Sequence, residues 1–375
     1  MTITQDRVTR LALSSFRSYR SAEWRFEKRQ TAFYGPNGAG KTNILEALSL
    51  MGPGRGLRRA ALGDLTRQGS DGGWGIGVDL GTGEGRRRLA LRAEGVPLKR
   101  HVQVDGEPVR STGTLLDSVR FQWLTPAQDR LFTDSPGERR RFLDRMVLAR
   151  CPSHGRDTLT FENALRQRQA ALEAGWPPAI LEPLEAQMAE AGIAIDEARR
   201  QTLAALQVNY ERVQETAFPR AGLSLSGPFE DIAGIPTLAA RRESYADLLE
   251  RGRRRDREAG RTLLGPHRSD LEVVHLGKDQ PARLCSTGEQ KALLIGLVLA
   301  HATASLAATQ APLVLLLDEV AAHLDEDRRA ALAAMLDQLA ICVFMTGTDR
   351  ALFDAWGDRV DRLHVDGRNT VPGSE

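Results

Sequence analysis

The sequence predicts an α/β fold in which a parallel sheet carries a phosphate-binding loop, an antiparallel sheet lies beside it, and an α-helical insertion separates the two halves. Three observations predict this. An apolar segment at 31–34 runs into Gly35-Pro36-Asn37-Gly38-Ala39-Gly40-Lys41-Thr42, followed by Ile44, Leu45, Leu48 and Leu50 at helical spacing. Five consecutive aliphatic residues, Leu313–Leu317, end in Asp318-Glu319. Between about 126 and 261, strand-like alternation gives way to helical periodicity. Three segments are therefore expected: 1–125 as the first half of the α/β body, 126–261 as the helical arm, and 262–375 as the second half.

The loop at 35–42 fits G-x-x-x-x-G-K-[ST] at every fixed position. Glycines let successive backbone N–H groups turn inward around a polyphosphate without a side-chain clash. The spacing puts Lys41 on the β- and γ-phosphates and the Thr42 hydroxyl on Mg²⁺, at a helix N-terminus. The chain holds 51 Lys+Arg but only five lysines, Lys28, Lys41, Lys99, Lys278 and Lys291. Where arginine is the default cation, a lysine inside the loop suits a compact ammonium between phosphates, a place a planar guanidinium does not fit.

Residues 7–34 alternate apolar and polar, with a turn between Ser14 and Ser21. The turn carries Arg17-Ser18-Tyr19-Arg20, which suits contact with adenine or a DNA backbone, or a plain surface turn. Strands follow at 74–80, 88–93 and 100–104, the last closed by an Asp105-Gly106 hairpin turn. Another strand at 119–124 leads to Thr125-Pro126. Within the insertion, Ser135-Pro136 caps a helix to Arg150, and helical runs cover 160–174, 179–217 and 239–259. Alternation returns at 271–275, and a further buried strand at 341–345 ends in Thr346-Gly347-Thr348.

Composition bounds the function classes. Hydrophobic residues at 41% and charged residues at 27% are ordinary for a soluble globular protein. No apolar run is expected to span a bilayer, the first residues lack the apolar core of a signal peptide, and a cytoplasmic location is expected. Cys151, Cys285 and Cys342 are widely spaced and suit reduced thiols. Net charge is +2, so nucleic acid is not announced globally, but 86–88, 139–141 and 251–257 are local arginine clusters. Each reads as a solvated face or as a binding patch.

In a doubly wound sheet, ligands gather at the carboxyl ends of the strands. Asp318 there suits Mg²⁺ beside Thr42, and Glu319 suits the general base for an attacking water. Two carboxylates favoured by a helix N-terminus are the plainer alternative. Ser286-Thr287-Gly288-Glu289-Gln290, opening an apolar helix, resembles the ABC signature, with a capping box of Ser286 and Glu289 as the plainer reading.

FRSY at 16–19, YGPNGAGKTNILEAL, SPGERRRFLD at 135–144, LLGPHRSDLE at 263–272, STGEQK and LLLDEVAAHLD together resemble the RecF family over nearly the whole chain. The resemblance implies an ABC-type ATPase head, related to chromosome-maintenance heads, with an inserted arm. It implies ATP with Mg²⁺, an ATP-dependent homodimer, slow DNA-stimulated hydrolysis, and action at gapped DNA with RecR and RecO in loading RecA. Carried over by position, Lys41, Thr42, Asp318 and Glu319 serve nucleotide and catalysis. Ser286, Gly288 and Gln290 act as the signature in trans, and Asp325 as the D-loop. Thr346-Gly347-Thr348 stands where transporters carry a switch histidine, and Gln122 is the candidate Q-loop residue.

Overall fold

The computed structural model describes residues 6–70, 72–83, 85–212, 218–308, 311–339 and 341–367. In chain order its elements are β1 (Arg7–Phe16), β2 (Tyr19–Arg25), β3 (Gln30–Tyr34), α1 (Lys41–Ser49), β4 (Trp74–Thr82), β5 (Gly85–Glu94), β6 (Lys99–Val104), β7 (Glu107–Val109) and β8 (Arg120–Leu124). There follow α2 (Pro136–Arg150), α3 (Ser153–Glu173), α4 (Pro178–Arg212), β9 (Ala221–Ser226), α5 (Glu230–Ala233), α6 (Leu238–Glu258), β10 (Asp270–His275) and β11 (Gln280–Pro281). The chain closes with α7 (Thr287–Ala308), β12 (Leu313–Leu317), α8 (Glu326–Leu339), β13 (Cys342–Gly347) and β14 (Val360–His364). Two compact units result: one built from the chain up to 129 and from 298 on, the other lying within 130–297.

The first unit contains a five-stranded parallel sheet in the order β14-β3-β13-β12-β8. Strands β8, β12 and β13 are buried at every residue, as their unbroken apolar runs require of a sheet covered on both faces. Pairing in register sets Leu124, Leu317, Met345 and Ala32 at one level. The phosphate loop after β3, Asp318 after β12 and Thr346 near the end of β13 therefore leave the same carboxyl edge.

A six-stranded antiparallel sheet, β2-β1-β4-β5-β6-β7, belongs to the same unit. Its inward residues, among them Leu11, Leu13, Ile76, Val78, Leu89 and Leu91, share one core with Ile44, Leu45 and Leu48 of α1 and with Trp123, Leu316 and Phe344. The core thus clamps α1 between two sheets, fixing the helix that begins at the phosphate loop. Helix α7 corrects one expectation: it is long and apolar enough to cross a membrane by length and composition, but 78% of that window is buried inside the protein, as a core helix is.

The second unit holds α2 to α6 and the three-stranded sheet β11-β10-β9. The insertion is not wholly helical as its periodicity suggests. β9 lies within it and pairs antiparallel with β10 from Ser226↔Asp270 to Ala221↔His275. Its six residues, AGLSLS, alternate only weakly, and the partner strand comes much later in the chain. That ladder ties the residues after 261 to the arm, so the unit continues to 297. Helix α3 begins at Ser153, before the expected 160, and the expected end of α4 at 217 lies outside the described residues.

At the centre of this unit Arg168 is fully buried. It donates to Glu185 (2.9 Å), Asp256 (2.8 Å), Thr262 (2.9 Å) and the Leu249 carbonyl (2.6 Å), joining α3, α4 and α6. Removing one partner of a buried ion pair leaves an uncompensated charge at a cost of about 3–5 kcal/mol. Arg168→Leu should lower the urea stability of the protein by about that amount. An unchanged unfolding midpoint would show that the network does not hold the arm together.

Candidate functional site

Strand β3 ends into a loop that only glycine can follow at two points. A Cβ on Gly35 (φ 147°) would lie 2.1 Å from the Val365 carbonyl, and one on Gly40 (φ 101°) 2.7 Å from the Tyr19 hydroxyl. Between them Pro36, Asn37 and Gly38 are exposed while Ala39 is buried. Helix α1 starts at Lys41 with no acidic residue in its first turn, leaving its N–H groups and dipole open to an anion. Lys41 is buried and its Nζ donates to the Gly35 (2.7 Å) and Pro36 (2.8 Å) carbonyls. Burial pulls its pKa below the ordinary lysine value, against the charges of Glu319 and Asp318. An ammonium placed on neutral carbonyls at a helix N-terminus fits a phosphate, whose charged oxygens are stronger acceptors.

The carboxylates meet this loop. Thr42 Oγ1 donates to Asp318 Oδ1 at 3.0 Å, and Thr346 Oγ1 donates to the same oxygen at 2.7 Å. The Thr346 hydroxyl also accepts the Glu319 N–H at 2.9 Å, so one fully buried side chain fixes both carboxylate residues. Glu319 adopts φ 54°, an unfavourable region for a side chain of its size. Burial raises the Asp318 pKa, the hydrogen bonds from Thr346 and Thr42 lower it, and Glu319 raises it further. A cation beside Asp318 would relieve that burial cost. Among the described residues no group of three or more His, Cys, Asp or Glu is placed to hold a metal ion. Thr42 and Asp318 instead offer two oxygen ligands, which suits a Mg²⁺ that keeps waters and phosphates.

Other expected residues fall in different places. Gln122 pairs with Leu315 in the middle of β8, and Leu315 pairs with Val343. Thr346 lies three residues beyond Val343, and side chains alternate along a strand. Gln122 therefore leaves the sheet on the face opposite the Thr346–Asp318 cluster. It is fully buried, with neither amide atom hydrogen-bonded. Asp325 is exposed and caps α8, its carboxylate accepting the Arg328 N–H at 2.8 Å.

The signature stretch lies in the second unit. There Ser286 and Glu289 make the reciprocal contacts of a capping box, the Ser286 N–H to Glu289 at 2.9 Å and the Glu289 N–H to Ser286 Oγ at 3.4 Å. Lys278 pairs with Glu289, and this hydrogen bond together with the Ser286 contact holds the carboxyl at about 2. Gln290 Nε2 donates to the Cys285 carbonyl at 2.9 Å. Gly288 has nothing within 4 Å of where a Cβ would stand.

Two features were only half legible. Arg17, from the turn before the phosphate loop, donates to both oxygens of the fully buried Glu46 in α1 (2.9 and 2.7 Å). It braces the helix from behind, and its pairing with Glu46 could be read only once β1 and α1 were known to touch. The two family-specific motifs meet inside the second unit. Arg139 donates twice to Asp270 (2.8 and 2.6 Å), Arg140 donates to the Ser269 carbonyl (2.6 Å), and Arg199 bridges Asp144 (2.7 and 2.9 Å) to the Pro266 carbonyl (2.6 Å). Burial works against ionisation of Asp144, but Arg199 and His154 hold its carboxyl down to about 2.

A phosphate loop at the edge of a parallel sheet, a buried aspartate beside its threonine, and an antiparallel sheet over α1 define an ABC-type ATPase head. A family model described as RecF/RecN/SMC N terminal domain matches residues 7–363. The chain is 47% identical over 362 residues to "DNA replication and repair protein RecF" of Rhizobium meliloti, covering 96% of each chain. It is equally identical over 363 residues to the protein of the same name from Agrobacterium fabrum, again with 96% coverage of each. This chain belongs to the RecF family. Among solved structures, the recombination mediator protein RecF with ATPrS has a similar fold, with TM-score 0.82 at 21% identity over 93% of this chain and 94% of that one. A Pyrococcus furiosus Smc head is more distant, with TM-score 0.53 at 18% identity over 97% of this chain and 94% of that one.

The pivotal side chain of the site is Thr346. Thr346→Val keeps its shape but leaves the Glu319 N–H without its acceptor, at about 1–3 kcal/mol. Thermal or urea unfolding should register that loss, and Thr346→Ser should recover most of it. Equal stability of the valine and serine variants would contradict the hydrogen-bond pair as drawn.

Proposed function

We propose that this chain is an ATP-dependent DNA-binding protein of recombinational repair and replication restart, a slow DNA-stimulated ATPase that dimerises on ATP. The observation that carries this reading is the meeting of Thr42, Asp318, Thr346 and Glu319 at the mouth of the phosphate loop. Lys41 and the N–H groups of 35–42 bind the phosphates, and Thr42 and Asp318 hold Mg²⁺. Mg²⁺ held there would supply neutralisation of the phosphate charge. Glu319, turned to φ 54° and anchored through its N–H by Thr346, orients a water and takes its proton.

Ser286, Gly288 and Gln290 serve the partner copy's nucleotide, with Asp325 at the same interface. The capping-box contacts agree with this role, because a fixed helix N-terminus still presents N–H groups to an anion. Gln122 stays a Q-loop candidate only if its strand is rearranged by ligand, since its amide lies on the other face. The names and titles of the relatives, replication and repair protein and recombination mediator in the RecFOR pathway, support DNA as partner. A cytoplasmic setting goes with this reading, and RecR, RecO and RecA are proposed to act with this chain at gapped DNA.

Loss of a general base costs on the order of 10²–10⁴ in rate. Glu319→Gln should therefore bind ATP, hydrolyse it slower by that factor, and run as a dimer in light scattering with ATP and DNA. A variant that turns over ATP at the wild-type rate would remove Glu319 from the chemistry.

A further inference from the structure

The sequence offered three arginine clusters, and the structure separates them. Arg139, Arg140 and Arg141 are committed to Asp270, the Ser269 carbonyl and Glu138. On α6, Arg253 is held by Glu185 and Arg254 by Glu258, and the exposed Arg251, Arg255 and Arg257 stand on a helix interleaved with acidic residues. Of the cluster at 86–88, Arg86 and Arg88 lie on the outer face of the antiparallel sheet, in one row of β5 with Arg92, while Arg87 turns to the other face and donates to Ser118.

The floor beside that row has almost no side chains. Strand β4 presents Gly75, Gly77 and Gly81 to the same face, its alternate residues Trp74, Ile76, Val78 and Leu80 being buried beneath. β1 adds Ala12 and Ser14 opposite Gly77 and Gly75, and β5 adds Ala90. Arg86, Arg88, Ala90, Arg92, Gln103 and Asp105 line an open depression of about 480 Å³.

In the middle stands Asp79, its carboxylate buried beneath guanidiniums. Arg10 (3.3 Å), Arg88 (3.4 Å) and Arg86 all pair with it. Arg10 is held more closely by Glu23 (2.6 Å), so Asp79 chiefly positions the two guanidiniums of Arg86 and Arg88. Arg86 and Arg88 remain about half exposed, with side-chain exposures of 54% and 62%. Arg92, exposed, has no hydrogen-bond or ion-pair partner among the described residues. Cations held in place by a shared buried acid lose little freedom on meeting a ligand, and a planar fork pairs bidentately with phosphate oxygens. A floor of glycine and alanine lets a bulky backbone approach the sheet.

We propose that this sheet face is a seat for the phosphate backbone of duplex DNA, with Arg86, Arg88 and Arg92 as its contacts and Asp79 as the organiser of Arg86 and Arg88. It rests on the DNA-binding reading above and adds the surface. Backbone contacts of this kind are independent of sequence and release counterions, so each one lost lowers the slope of log K against log salt by about 0.9.

The test is fluorescence anisotropy of the full chain with ATP on labelled duplex DNA across a salt series. Arg86→Ala/Arg88→Ala/Arg92→Ala should bind at least about tenfold more weakly and lose about 2–3 in salt slope, while DNA-free ATP turnover stays at the wild-type level. Arg92→Glu alone, at an exposed and unpaired site that does not risk the fold, should weaken binding several-fold. Arg251→Ala/Arg255→Ala on α6 should leave the slope within about 0.5 of wild type. Wild-type affinity and slope in both the triple variant and Arg92→Glu overturn the inference, and an α6 variant that takes the whole loss moves the seat to the arm. Failure of the wild-type chain itself to bind duplex DNA overturns the DNA-binding reading along with it.

Discussion

Everything at the carboxyl edge of the parallel sheet depends on one shared carboxylate oxygen. Asp318 Oδ1 receives hydroxyls from the phosphate-loop helix through Thr42 and from the neighbouring strand through Thr346. The same Thr346 hydroxyl accepts the backbone of Glu319. Three segments far apart in sequence are thereby held to one geometry without a charged partner. A buried hydroxyl performs the positioning, so this part of the device has no group that titrates near neutral pH.

The interior explains why that edge is rigid. Helix α1 is gripped from three sides: by the core shared between the two sheets of its unit, by Arg17 on the buried Glu46, and by the close approach of Tyr19 to Gly40. The last two contacts come from the turn between β1 and β2 and from the first residue of β2. The turn that the sequence left open between ligand contact and plain surface is therefore, in the main, a brace for the phosphate loop.

Legibility in the sequence followed the range of the interactions. The phosphate loop, the strand ending in Asp318-Glu319 and the helix at 136–150 could be read because each is encoded within about ten residues, by glycine spacing, an aliphatic run or a cap. β9 could not, because AGLSLS acquires its strand only by pairing with β10. Nor could the face of Gln122 be read, since a shift of one residue along a strand reverses the side chain, and the end of β8 falls at Leu124, two residues beyond it. Conversely, SPGERRRFLD and GPHRSDL marked the family while giving no hint of their use. The structure shows that they hold α2 to β10 and to the turn before it, through Arg139, Arg140 and Asp144. Family-specific motifs here are largely internal fastenings.

In the proposed dimer a complete site takes its phosphate loop from one copy and its signature from another. In a symmetric pair each interface repeats, so two differently damaged copies rebuild one intact site and one doubly damaged site. Mixing Lys41→Met with Ser286→Arg and measuring ATP turnover tests this directly. The account predicts partial recovery on mixing that neither variant shows alone. No recovery at any ratio, with wild-type copies dimerising normally under ATP, would contradict it.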